Sequence, residues 1–131
     1  MQRYTQQRNA ILNALVAAAR PMSPQEVLVA AREATPSLGI ATVYRNLKLL
    51  VGDSLVHAVE LPGEPPRYEV ADLGHHHHFK CTACDRVFDV GECVADLKRL
   101  LPAGFTLERH DITLYGRCRD CGAGARPRPR R

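Results

Sequence analysis

Apolar residues recur at three- and four-residue steps in three successive stretches near the start of the chain. In the first, residues 5–18, Ile11, Leu12, Leu15 and Val16 lie with Ala10, Ala14 and Ala18 on one helical stripe. Thr5 is placed to cap this helix, and Arg20-Pro21 ends it. The second helix opens on Ser23-Pro24-Gln25-Glu26, which is a capping box with proline at the first helical position. It continues through Val27, Leu28, Ala30 and Ala31 toward Ala34, and Thr35-Pro36 stops it. In the third, IATVYRNLKLLV, the residues Ile40, Val43, Leu47 and Leu50 face inward. Thr42, Tyr44, Arg45, Asn46 and Lys48 are left on or near the outer face. The period then changes. Leu55, His57, Val59 and Leu61 alternate with Val56, Ala58 and Glu60, as in a strand; residues 62–66 turn, and Arg67-Tyr68-Glu69-Val70 returns.

A helix, a short turn, a helix and a hairpin predict a winged-helix lobe containing a helix-turn-helix. On its third helix Arg45 and Lys48 suit phosphates or guanine edges, Asn46 suits adenine, and Tyr44 and Thr42 suit thymine methyls. Arg67 on the wing is placed for a further phosphate contact. Composition alone favours a plainer reading, a solvated helix face.

The second half is patterned differently. Residues 71–74 make a hinge, and residues 75–80 read as a strand. Alternation puts His76 and His78 on one face and His75 and His77 on the other, so one strand can feed two metal sites. Residues 87–90 make a second strand. Residues 92–101 make a helix with Cys93, Val94, Leu97, Leu100 and Leu101 as its stripe and Asp96 at the stripe's edge, within reach of a metal. Residues 105–117 make a long strand carrying His110. The class is therefore α+β: a winged-helix lobe over residues 1–70, then a small α/β lobe over residues 75–121. The exposed sheet edge of the second lobe predicts dimerisation by sheet pairing.

With 131 residues and 45% apolar content, the chain makes one domain or two small lobes. Lobes this small usually lean on a metal, a disulfide or a partner subunit. The cysteines supply the metal. Cys81-x-x-Cys84 and Cys118-x-x-Cys121 are two knuckles, together a closed tetrahedral set for a structural Zn²⁺. Their separation requires a folded subdomain between them. Neither pair opens a helix after a buried strand, as a redox pair would, and Cys93 reads as a small core residue. No signal-peptide pattern opens the chain and no apolar run is long enough for a bilayer, which predicts a cytoplasmic protein with reduced thiols and no membrane partner. The net charge of +4 is a mild bias toward polyanions. Much of it sits in Arg117, Arg119, Arg126, Arg128, Arg130 and Arg131, so residues 122–131 read as a basic, disordered tail.

The motifs TQQR, GIATVYRNLKLL, RYE, HHHHFKCTAC and HDITLYGRCRDC resemble the ferric uptake regulator (Fur) superfamily of bacterial metal-responsive repressors. The resemblance runs from Thr5 to Cys121. It implies a homodimer that binds palindromic operators in double-stranded DNA, and it makes Tyr44 and Arg45 DNA contacts. It implies that the four cysteines hold structural zinc. A regulatory site would take Glu69, His76 and His78. Many members add a histidine or glutamate before the second helix, where this chain has Pro21; His57, matching a hinge ligand of zinc-sensing members, is the substitute, with a core histidine as the alternative. Asp89 matches an aspartate ligand of peroxide-sensing members. An additional site in the dimerisation lobe would use His75, His77, Asp96 and His110.

The regulatory set is nitrogen and oxygen without a thiolate, which suits Fe²⁺ or Mn²⁺, with Zn²⁺ the alternative. The implied function is a repressor of metal-uptake or peroxide-stress genes and not an enzyme. The alternatives are a zinc-uptake regulator of the same family, a thiol redox switch, and a zinc-dependent hydrolase or deaminase with Glu69 as base. Against the last, the chain lacks the His-x-Glu and His-Glu-x-x-His spacings.

Overall fold

A computed structural model describes residues 2–71, 74–91 and 96–122, with residues 2–4 described in backbone only. The chain divides into two compact units, residues 1–73 and 74–131.

The first unit contains helices α1 (Gln2–Ala18), α2 (Pro24–Ala31) and α3 (Ile40–Gly52), then strands β1 (Val56–Val59) and β2 (Arg67–Val70). The periodic positions meet in one core: Ile11 and Leu15 of α1, Val27 and Ala31 of α2, and Val43, Leu47 and Leu50 of α3. The helix α1 begins upstream of Thr5, which therefore lies inside it and is not its cap. The capping box of α2 is present in both directions, Glu26 N–H to Ser23 Oγ and Ser23 N–H to Glu26 Oε1. That helix ends at Ala31, short of Ala34; Arg32 is its C-cap, its N–H still on the Leu28 carbonyl and its side-chain Nε donating to the Leu38 carbonyl at 2.8 Å. Leu38 is fully buried, while Ile40, expected inside, is 38% exposed. Removing most of the Leu47 side chain (Leu47→Ala) should lower the stability of this unit by about 2–5 kcal/mol, read from a denaturant titration.

The hairpin pairs His57 with Glu69 and Val59 with Arg67. A one-residue bridge adds Met22 to its free edge, Met22 and Tyr68 exchanging N–H···O bonds of 2.8 Å. No sequence period marks a bridge this short. Two nucleic-acid contacts expected of this unit fail. Arg67 is buried and points into the unit, where its guanidinium meets Glu26 at 3.1 Å and Glu64 at 3.6 Å, so it is not a phosphate contact. Asn46 is only 5% exposed and its amide donates to the Thr42 carbonyl at 2.9 Å, so it is not offered to a base.

The second unit holds β3 (His77–Cys81), β4 (Val87–Val90), β5 (Thr113–Gly116) and a short helix α4 (Arg119–Gly122). The sheet order is β4-β3-β5, with β3 antiparallel to β4 and parallel to β5. The expected helix over residues 92–101 is not formed as such. Residues 92–95, including Cys93 and Val94, lie outside the described residues; beyond them stands one 3₁₀ turn, Leu97–Leu100. Asp96 has φ 65° and ψ 47°, and a right-handed helix cannot run through a left-handed residue. The long strand over residues 105–117 contracts to β5. Its ladder with β3 begins at the His78–Thr113 pair; before it the Ile112 carbonyl still accepts the His78 N–H at 3.2 Å, but the Ile112 N–H goes to the His77 ring and not to the β3 backbone. Gly116 packs closely there: a Cβ would stand 3.2 Å from the Phe79 ring, which would have to give by a few tenths of an ångström.

Candidate metal centres

Four sulfurs come together first. A tight turn after β3 carries Cys81 and Cys84, and the β5–α4 junction brings Cys118 and Cys121. All four Sγ atoms lie within 4.8 Å of one another, with Cys84 and Cys118 3.9 Å apart. A tetrahedron with Zn–S near 2.3 Å needs S···S separations of about 3.8 Å, so this donor set fits zinc. Burial pushes the Cys81 thiol up, but N–H groups of Cys118, Cys84 and Ala83 outweigh it and bring its pKa down to about 6. For Cys84, burial is outweighed by the Arg86 guanidinium, which lowers it. Cys121 is pushed up to about 12, chiefly by Cys118 beside it and then by burial. The set thus offers ready thiolates and one firmly held proton that an ion must displace.

A second cluster lies on one face of β3. Nε2 of His76 stands 3.2 Å and Nε2 of His78 3.4 Å from Oδ1 of Asp89, which is the cross-strand partner of His78. Nδ1 of His76 donates to the Gly74 carbonyl at 2.8 Å, which leaves Nε2 as the ligand atom. Two imidazole nitrogens and a carboxylate oxygen make a donor set that could hold a metal ion. On the first unit, Glu69 is 1% exposed and its Oε1 meets Nε2 of His57 at 2.8 Å. His57 is thus half-exposed beside a carboxylate and is not a core residue.

The other face of the histidine run gathers His75, His77 and His110. Nε2 of His75 lies 3.1 Å from Nε2 of both His77 and His110. Asp96 is not among the ligand atoms that converge there; its exposed carboxylate stands 4.0 Å from Arg99. Burial, and then the neighbouring His75 and His110, lower the pKa of His77 and keep it neutral. Its Nδ1 accepts the Ile112 N–H at 3.2 Å, so the ring proton of the neutral form sits on Nε2, facing His75. Coordination through that Nε2 would cost the Ile112 hydrogen bond. The three nitrogens are close enough to hold a metal ion, with His77 then carrying its proton on Nδ1.

On α3, Tyr44, Arg45 and Lys48 are exposed, with Thr42 half-buried and 3.4 Å from the Arg45 guanidinium. Tyr44 borders a hollow of about 150 Å³ that Ser23 and Gln25 of the α2 start and Pro65 and Pro66 of the hairpin turn also line. The start of α2, the exposed flank of α3 and the wing thus share one face of the first unit.

The sequence profile of the ferric uptake regulator family matches residues 1–115. The chain belongs to this family. The ferric uptake regulation protein of Campylobacter jejuni is 33% identical, covering 91% of this chain and 79% of its own. The peroxide operon regulator of Bacillus subtilis is 29% identical over 91% of this chain and 83% of its own. Among solved structures, the ferric uptake regulator of Vibrio cholerae superposes with a TM-score of 0.66 at 26% identity, covering 85% of this chain and 88% of that one. As a member of the ferric uptake regulator family the chain is a metal-responsive, DNA-binding transcription factor and not an enzyme, which removes the hydrolase alternative. No helix among the described residues is long and apolar enough to cross a membrane.

One contact to the four-cysteine cluster escaped the sequence reading. Arg86 donates to both Cys84 and Cys118. The available signal was a cation two residues after a knuckle cysteine, opposite the acidic Asp120 of the other knuckle.

Proposed function

We propose that this chain is a repressor that grips a palindromic operator as a homodimer when Fe²⁺ or Mn²⁺ fills a regulatory site, and that it controls metal-uptake or peroxide-stress genes. The convergence of His76, His78 and Asp89 on one point, with no sulfur among them, carries the reading. Imidazole with carboxylate suits iron and manganese, whereas thiolate favours zinc. Three ligands on one unit leave places open, and Glu69 and His57 of the first unit complete the set in this proposal. A divalent ion supplies charge that ligands from both units share. Such an ion favours whichever arrangement of the units brings those ligands together, and that arrangement presents Tyr44, Arg45, Thr42 and Lys48 to a major groove. Zn²⁺ stays in the four-cysteine set as a structural ion. The edge strand β5, with Leu114 and Tyr115 exposed, supports pairing of two copies.

The His57–Glu69 pair favours a second reading, a zinc-uptake regulator, because His57 matches a hinge ligand of zinc-sensing members. An anaerobic titration separates the two. A palindromic operator is selected from random duplexes, and its binding is followed by fluorescence anisotropy at buffered free Fe²⁺, Mn²⁺ and Zn²⁺. Fe²⁺ or Mn²⁺ at the free concentrations found in cells should switch binding on, and a chelator should reverse it. Response to Zn²⁺ alone moves the assignment to zinc uptake. Binding indifferent to every ion overturns both readings.

A further inference from the structure

The four-cysteine cluster carries a guanidinium that a metal site of four thiolates does not require. Arg86 directly precedes β4, and its guanidinium carbon lies over the Phe88 ring, 5.6 Å from the centroid. From there Nε donates to Cys84 Sγ at 3.1 Å, and one terminal nitrogen reaches Cys118 Sγ at 3.5 Å and Asp120 at 3.1 Å. One side chain therefore ties a sulfur of the first knuckle to a sulfur of the second. A divalent ion in four thiolates leaves two negative charges on the cluster, and Arg86 is the cation hydrogen-bonded to its sulfurs among the described residues. A cleft of about 370 Å³ is lined by Phe79, Phe88, Cys118, Arg119 and Asp120, beside this cluster.

We propose that Arg86 is a guard of the four-cysteine zinc: by donating N–H bonds to Cys84 and Cys118 it blunts their attack on oxidants that enter beside Cys118. The proposal rests on the four cysteines holding zinc. A thiolate bonded to a guanidinium has part of its lone-pair density engaged, and such charge-assisted bonds are about twice as strong as neutral ones. The step restrained is attack by the Cys118 thiolate on one oxygen of hydrogen peroxide. An S–O bond forms, the O–O bond breaks and hydroxide leaves; the sulfur is oxidised to sulfenic acid and the peroxide is reduced. Cys84, 3.9 Å away, then displaces the second hydroxide and closes a disulfide, at the expense of two zinc ligands. A cation–π contact with Phe88 and the Asp120 carboxylate hold the guanidinium in place, and a lysine ammonium cannot copy its fork of donors.

The test compares zinc release from the full-length protein, wild type against Arg86→Gln, Arg86→Lys and Asp120→Asn. A chromogenic chelator reports the released ion, first alone and then with hydrogen peroxide. With peroxide, Arg86→Gln should release zinc on the order of tenfold faster. Arg86→Lys should fall between the two, and Asp120→Asn should show a smaller acceleration. Without peroxide all four should hold zinc alike. A purely structural role for Arg86 instead accelerates release to the chelator alone, which overturns the proposal. So does peroxide-driven release from Arg86→Gln at the wild-type rate. If Arg86→Gln cannot be isolated with zinc, Asp120→Asn decides: release at the wild-type rate overturns the guard. Wild-type protein that holds no zinc at all sinks the four-cysteine reading itself, a separate outcome visible in the metal content before any oxidant is added.

Discussion

Cys118→Ser should leave the first unit folded and abolish the fold of the second. Among the described residues, the buried apolar side chains fall overwhelmingly in the first unit: Ile11, Leu15, Val27, Leu38, Val43, Leu47 and Leu50 are all buried there. The second unit buries Cys81, Val87 and Cys118 and little else that is apolar. Its sheet has three short strands, and between β4 and β5 the described residues add a single 3₁₀ turn with Leu100 at the surface. Burial at roughly 25 cal/mol per Å² cannot offset the chain entropy of such a unit. Structural zinc contributes apparent values of about 10–16 kcal/mol in zinc-finger peptides, enough to decide whether the unit folds. Serine keeps the size of Cys118 and loses the thiolate. The expected result is a protein without bound zinc whose circular dichroism keeps the helical signal of the first unit and loses the strand signal. Its denaturation should follow the first unit alone. Zinc affinity of the wild type should rise with pH, because the raised Cys121 thiol must lose its proton on binding. Cooperative unfolding of the second unit in Cys118→Ser, with full helix and sheet signal before it, would show that the sulfurs are dispensable to the fold.

The same imbalance explains what could be read from the chain beforehand. Helices with many core partners leave a strong period in the sequence, so α1 to α3 and the capping box of α2 were legible to within a turn. The alternation of the histidine run was equally legible: β3 starts at His77, two residues later than expected, yet His76 just before it still meets Asp89 beside His78. Failures came where a side chain's role is set by a partner distant in sequence. Arg67 has the chemistry of a phosphate contact, and Glu26, forty-one residues earlier, takes its guanidinium instead. Asn46 looks like a base reader until the Thr42 carbonyl is seen to hold its amide. Neither the turn at Asp96 nor the short reach of β5 leaves a period, since few buried neighbours impose one. The tautomer of His77 depends on a main-chain donor, Ile112, which the sequence cannot reveal.

The double variant His76→Ala, His78→Ala should fold, hold its structural zinc and lose the response of DNA binding to metal. These imidazoles are largely buried, 9% and 18% exposed, but they pack on each other and on Asp89 and not in the apolar core, so zinc content and circular dichroism first check that the variant is folded. It strips two of the three ligand atoms that converge at Asp89. Under the proposed switch, regulatory metal acts only through its preference for one arrangement of the two units. Driving a population from about 1:99 to 99:1 requires roughly 5.5 kcal/mol of differential binding. Asp89 alone on the second unit cannot supply that, because a lone carboxylate competes with water for a hard cation at little net gain. In the double variant, saturating Fe²⁺ or Mn²⁺ should therefore leave operator affinity at the metal-free level. The wild type should tighten by on the order of a hundredfold or more. The comparison must be made at one ionic strength, since contacts from Arg45 and Lys48 to phosphates vary steeply with salt. His75→Ala serves as the control: it disrupts the other face of the same strand and should leave the response intact, because its partners are His77 and His110. A metal response that survives in the double variant but vanishes in His75→Ala would move the sensor to the opposite face of β3. The Ile112 hydrogen bond to His77 would then have to break each time the ion enters.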